Sequence, residues 1–504
     1  MGKLPRVKPL PEVPKASKSD CFLKKSIYAQ IRRLDHGQRS RLAHVLHSIR
    51  RKLRTGSACS GSEIARVANE FIMMACGGKV ENVFSCEKVV VKQDWIANVI
   101  EKWAGDKQGP GGPCIFKDIA EIGGKTARCA KHEATGNGEN VSGCDVLTVF
   151  LMSAGFSCKN MSKLFSSRVG TAGQFVKKKS CLADGSGSSG ETLDALLSYI
   201  QSHAPTILVL ENVQDILLPS QAQNHDHLLA VLKEVGYAAH VVELVSTSYG
   251  SPQRRRRAYI VGYKVPSGWS YDAVLDRAKA ALDLAKGLEL PERRPDEIFL
   301  SNKSAYVQSE FKRRMDHRDS LSPQELSRDL EEWKDKNRKL LERDGIACSR
   351  CVVPEKHRSS APWYGILTPR QRMVLGHGFL TCKNLQSCDV YQTMGREFVS
   401  NTSACIPTIV PNTLLWLVKN KRLMTGKEAL LVQCMPEEIL DIAEELGFRD
   451  SSMVDFGGNM FTGTVYSAAA IGALTYCPLS GQSPDDESTP PEDATSAVAS
   501  MFGF

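Results

Sequence analysis

Short apolar runs separated by helical stretches organise the middle of the chain. Runs at 83–86, 146–151, 207–210, 241–245 and 258–262 are each bounded by polar residues. Such runs suit strands covered on both faces of a mostly parallel sheet. Their alternation with helical stretches predicts a doubly wound α/β domain over about 55–264. Upstream, Ile27, Ile31, Leu34, Leu42, Val45, Leu46 and Ile49 recur at helical spacing, which predicts one or two helices between 22 and 54. Residues 1–20 hold four prolines and read as a flexible lead, and the polar stretches 122–143 and 166–190 read as surface loops.

From about 265 to 407 the sheet rhythm gives way to charged helical segments, such as 321–343, and a second region is expected there. Apolar rhythm returns at 408–417 and 460–474. The expected division is a basic N-terminal arm with helices (1–54), a first catalytic part (55–264), an inserted smaller region (265–407), a closing part (408–477) and an acidic disordered tail (478–504).

Charge sharpens this division. The first 54 residues carry fifteen Lys and Arg against Glu12, Asp20 and Asp35, a net +12, which leaves −3 for the remaining 450. That is the footprint of a polyanion binder or of a solvated amphipathic helix. Sixteen cysteines without a secretory leader suggest reduced thiols inside a cell. No run of eighteen apolar residues appears, so no membrane span is expected.

Ligands of open α/β sheets bind beyond the carboxyl ends of the strands. After the 146–151 run stand Ser157, Cys158 and Lys159, where a thiol can be fixed as a nucleophile. After the 207–210 run come Glu211, Asn212 and Val213, and before the last run come Gln253, Arg254, Arg255, Arg256 and Arg257. Each alone has a bland reading: an inert thiol, a polar strand end, a basic turn.

Together and in this order, these residues resemble the cytosine-C5 methyltransferase family, whose hallmarks are Pro-Cys-Gln, Glu-Asn-Val and Gln-x-Arg-x-Arg. Ser57-Ala58-Cys59-Ser60-Gly61-Ser62-Glu63 is similar to the family's first cofactor loop, and Glu87 and Asp118 to its ribose and adenine acids. Arg422-Leu423-Met424-Thr425-Gly426-Lys427-Glu428, with Gln433, resembles the penultimate motif, and Gly458-Asn459-Met460-Phe461 the final one.

The resemblance implies a fold dependent on S-adenosylmethionine with an inserted target-recognition region, and a nucleic-acid partner, DNA rather than RNA. It implies Cys158 as the thiolate that adds to carbon 6 of a flipped cytosine, and Glu211 at ring nitrogen 3. Arg255 and Arg257 would contact oxygen 2 and the adjacent phosphate. Ser60, Gly61, Glu87, Asp118 and Asn459 would hold the cofactor. A nuclear location is expected over a cytoplasmic one. An RNA enzyme of the same chemistry and an inactive nucleic-acid-binding homologue are the competing readings.

The chain departs from the family at Ser157 (for Pro), Lys159 (for Gln), Ser62-Glu63 (for a second glycine) and Lys427 (for Arg). Cys348 and Cys351, followed by His357, make half a zinc motif without a second tight pair, since Cys382 and Cys388 are spaced too far apart. No metal is expected. Cys59 and Cys144 are read as structural, and Trp333, Trp363 and Trp416 as core anchors before base-stacking residues.

Overall fold

The computed structural model describes residues 9–480 apart from 18, 106–111, 133–142, 160–180, 186, 323, 325–340, 343–344, 393 and 395–398. The acidic tail beyond 480, most of the 166–190 stretch, Trp333 and most of the 321–343 segment lie outside the described residues.

The apolar runs form a seven-stranded sheet. Its strands are β1 (Lys52–Ala58), β2 (Lys79–Cys86), β3 (Cys114–Phe116), β6 (Leu151–Ala154), β7 (Ile207–Val213), β8 (Tyr237–Val245) and β9 (Arg256–Lys264). A two-stranded hairpin of β4 (Thr126–Ala127) and β5 (Cys144–Asp145) lies beside it in sequence. The sheet order is β3-β2-β1-β6-β7-β9-β8; β9 runs against both neighbours and every other pairing is parallel. This is the doubly wound, mostly parallel, Rossmann-like sheet that the alternation of apolar runs and helical stretches predicts. The chain leaves β1 toward β2 and β3, then returns to β6 on the other side of β1. The switch point therefore lies between the carboxyl ends of β1 and β6, where such sheets bind ligands.

Two expectations shift. The strand expected at 146–151 is β6, at Leu151–Ala154. Val146 and Val149 are buried in the core under the sheet, yet the segment joins the ladder only at Phe150 and Leu151, because apolarity marks burial and not strand pairing. Cys158 thus follows its strand by only four residues. The N-terminal segment is not a separate arm. The helices Phe22–Arg32 and His36–Ser48 bury Leu23, Ile27, Ile31, Leu42 and Leu46 in the main core, together with the helices Ile64–Ala75 and Gly463–Thr475. The lead is anchored as well: Val13 is buried, and the carbonyls of Pro9 and Pro14 accept from Arg51 and Arg32.

The inserted region also draws differently. Helix Tyr271–Gly287 packs on β8 and the main core. A separate core gathers Val307, Trp363, Leu375, Cys388 and Trp416 under a four-stranded sheet, β11-β10-β12-β13. Its strands are β10 (Ser387–Asp389), β11 (Val399–Ser400), β12 (Leu415–Leu417) and β13 (Arg422–Leu423), so residues after 408 complete it. Trp363 and Trp416 are buried anchors of that core. No helix among the described residues is long and apolar enough to cross a membrane.

Candidate active site

The loop after β1 carries three left-handed residues in alternation, Cys59, Gly61 and Glu63, with φ of 52°, 56° and 61°. Glycine accepts this region freely; Glu63, where the resembled family has its second glycine, adopts it at some conformational cost. Its side chain is buried and accepts from the Ser57 hydroxyl. Burial drives the Glu63 carboxyl above its ordinary range, against the opposing pull of that bond and of Arg66. Ser60 N–H donates to the Cys86 carbonyl, which ties the loop to the end of β2.

Glu87, just past β2, accepts from the N–H of Gly61 at 2.9 Å and of Val89 at 3.0 Å. Asp118, two residues past β3, accepts from Ala120 N–H at 3.1 Å and pairs with Lys88 at 3.1 Å. Burial opposes ionisation of Asp118, but those two partners outweigh it and hold the carboxyl below its usual range. Glu87 and Asp118 line one cavity of about 370 Å³ with Cys59, Cys86, Lys88 and Thr192. The Cys59 thiol is half-buried at the cavity wall, and desolvation, with Glu87 beside it, pushes it up to about 12, which keeps it protonated.

Asn459 does not join this group. It is exposed at the end of helix Asp450–Asn459 and turns its amide back to Asp455. What its motif does provide is packing. A Cβ on Gly458 would lie 2.3 Å from the Pro411 nitrogen, so only glycine permits that crossing, and Phe461 closes against Gly155.

Thr192 connects the cavity to the nucleophile loop. Its hydroxyl oxygen accepts from Ser157 N–H at 3.1 Å and donates to the Ser188 carbonyl at 2.7 Å. A proline at 157 would lack that N–H; serine restores a donor, and the hydrogen bond replaces ring stiffness. Asn212 Nδ2 donates to the Phe156 carbonyl at 3.1 Å, which binds the same loop to β7. Sequence reading missed Thr192, since it belongs to no motif and only the fold places it here.

Cys158 is half-buried, and burial raises its thiol above the ordinary value; Arg257 and Arg255 pull it down while Glu211 pushes it up. Glu211 lies 2.9 Å from Arg257 Nε, and both side chains are largely buried. The pair is close without an aligned hydrogen bond, and Glu211 Oε1 has no hydrogen-bond partner. An ideal Cβ on Gly155 would come within 3.7 Å of Glu211 Oε2. The nucleophile loop, the carboxyl and one guanidinium therefore converge at the ends of β6, β7 and β9.

Arg255 departs from its expected role at the base. Its guanidinium is buried and donates to the carbonyls of Ile409 (3.1 Å), Gly458 (3.1 Å) and Met460 (2.9 Å). Burial lowers it to about 9. It fastens the closing segments to the sheet and acts on Cys158 only through its field. Arg422 and Glu428 form a fully buried bidentate pair at 2.8 and 2.6 Å, and Lys427 pairs with Asp441 and Glu444. The penultimate motif is thus a structural joint, and Lys serves in place of Arg at 427.

A family model described as C-5 cytosine-specific DNA methylase matches residues 151–454, which include Cys158, Glu211, Arg255 and Arg257. A DNA (cytosine-5-)-methyltransferase, DMT5, of Cryptococcus neoformans var. grubii is 24% identical over 469 residues, 86% of this chain and 18% of that protein. The type II methyltransferase M.Sau3AI of Staphylococcus aureus is 37% identical over 87 residues, 17% of this chain and 21% of its own length. The chain spans about a fifth of the length of these curated relatives. The S. pombe Dnmt2 methyltransferase structure aligns with a TM-score of 0.37 at 12% identity, covering 83% of this chain and 97% of that one. With the family match extending over more than half its length, this chain belongs to the C-5 cytosine-specific DNA methylase family.

Proposed function

We propose that the chain methylates carbon 5 of cytosine in DNA, with S-adenosylmethionine as donor and Cys158 as covalent nucleophile. The observation that carries this reading is the convergence of Cys158, Glu211 and Arg257 at three adjacent strand ends, with Glu211 and Arg257 2.9 Å apart. Glu87 and Asp118 face one cavity of about 370 Å³, a volume and polarity suited to a nucleoside. In this reading Glu87 holds the ribose, Asp118 the adenine amine, and Ser60 and Gly61 frame the remainder. S-adenosylmethionine supplies the electrophilic methyl group.

The chain's own residues then act on the base. Cys158 loses its proton and its sulfur bonds to carbon 6, while Glu211 donates a hydrogen bond or proton to ring nitrogen 3. The electron pair displaced toward carbon 5 would form the new carbon–methyl bond as the donor's sulfonium–methyl bond breaks and the neutral thioether leaves. Loss of the carbon 5 proton then breaks the carbon–sulfur bond and restores the ring. Arg257 lowers the Cys158 thiol and orients Glu211. The base must leave its stack to reach these groups.

The second core, around Trp363 and Trp416, serves as the target-recognition region in this proposal, and the charge of residues 1–54 favours contact with phosphates and a nuclear location. DNA is preferred to RNA because the family model and the Cryptococcus relative are both named for DNA. Retention of Cys158, Glu211 and Arg257 in one cluster argues against an inactive homologue. Radiolabelled S-adenosylmethionine, offered with matched DNA and RNA duplexes, tests this directly. Expected is 5-methylcytosine in the DNA alone, abolished in Glu211→Ala and Cys158→Ala; label in the RNA alone, or in neither, overturns the proposal.

A further inference from the structure

Four side chains outside the catalytic cluster meet at the open edge of the main sheet. Cys114 begins the edge strand β3, Cys129 and His132 follow β4, and Cys144 begins β5. Every pair among their ligand atoms lies within 4.8 Å, and no other group of this kind occurs among the described residues. His132 Nδ1 stands 3.6 Å from Cys114 Sγ and 2.9 Å from Cys144 Sγ. Around a tetrahedral zinc with ordinary bond lengths, ligand atoms sit about 3.5–3.8 Å apart. We propose that Cys114, Cys129, His132 and Cys144 bind one structural zinc ion.

Three observations support zinc over chance proximity. The four ligands come from three separate chain segments, brought together by the Phe116–Cys129 bridge and the pairing of Ala127 with Cys144. All three cysteines are free thiols, and a disulfide between any two would leave the third and the imidazole with no counterpart. Three thiolates and one imidazole in a closed shell are the donor set of structural zinc rather than of calcium, magnesium or catalytic sites. The strands that carry the ligands are short, three residues in β3 and two each in β4 and β5. Spacing gave no warning, because the Cys129–His132 step is the only short one and the fourth ligand lies twelve residues further on.

The test is metal content of the full chain, purified without chelator and measured by plasma mass spectrometry. One zinc per chain is expected in the parent and in Cys348→Ser, and less than a tenth of that in Cys129→Ser and Cys144→Ser. Parent protein grown with cobalt keeps the test open should those variants fail to fold. It should show sulfur-to-metal charge transfer and the intense visible bands of tetrahedral thiolate coordination. Sub-stoichiometric metal in the parent, cobalt spectra without thiolate bands, or a disulfide among these cysteines by peptide mapping would each overturn the site. None of these readouts depends on methyl transfer.

Discussion

Cys158 occupies a setting in which burial favours the thiol and Arg257 is the strongest counterweight. A raised nucleophile pKa means that the reactive thiolate is scarce at neutral pH and grows as pH rises. Methyl-transfer rates at saturating substrates should therefore climb on the alkaline side of neutrality. Arg257→Gln should move that limb to higher pH and lower the neutral rate about a hundredfold, while Arg257→Lys should keep the limb near its original place. A pH profile unchanged by Arg257→Gln would contradict the assignment. Thr192→Val removes the acceptor for Ser157 N–H at nearly constant volume. Its kcat should fall about tenfold with an unchanged circular dichroism spectrum, because a nucleophile displaced by a fraction of an ångström loses alignment. Sequence alone marked Cys158, Glu211 and Arg257, since the chemistry dictates their type. It could not separate Arg255 from Arg257: that distinction depends on the carbonyls of Ile409, Gly458 and Met460, which only the fold brings to Arg255.

Among the elements, the joint between the two cores is the Arg422–Glu428 pair. Both side chains are fully buried, and Glu428 also accepts from the N–H groups of Leu300 and Thr425. Glu428→Ala leaves a guanidinium uncompensated in the interior, and denaturant unfolding should report a loss of about 3–5 kcal/mol. A loss under about 1 kcal/mol would mean that water reaches the pair. The same region shows why strand positions were only partly legible. β7 and β9 were found because long apolar runs coincide with their ladders, whereas at 146–149 Val146 and Val149 are buried outside the ladder, Leu147 is exposed, and pairing with β1 and β7 starts only at Phe150 and Leu151. The hairpin β4–β5 left no signal at all, for two-residue strands carry no periodicity.

For the whole molecule, the N-terminal charge and the N-terminal packing are separate properties of one segment. Leu23, Ile27, Ile31, Leu42 and Leu46 are in the main core, while Arg32, Arg33 and Arg50 are exposed. Deleting residues 1–48 should unfold the catalytic sheet, seen as a lost cooperative thermal transition. Reversing the three exposed arginines should leave the melting temperature within a few degrees and weaken DNA binding with a shallower salt dependence. A well-folded truncation would show that the helices are dispensable. Helical spacing revealed these two helices, but charge drew attention to a detached arm, because a basic face and a buried face coexist on one helix.

The central claim, a covalent Cys158 adduct on cytosine, is tested most directly with DNA duplexes carrying 5-fluorocytosine and S-adenosylmethionine. Fluorine cannot depart as the carbon 5 proton does, so an active enzyme stays bound through its nucleophile. Expected is a denaturation-resistant complex whose peptide map places the DNA on Cys158 and which disappears in Cys158→Ala. A complex that persists in Cys158→Ala, or none at all from folded protein that binds the cofactor, would contradict it.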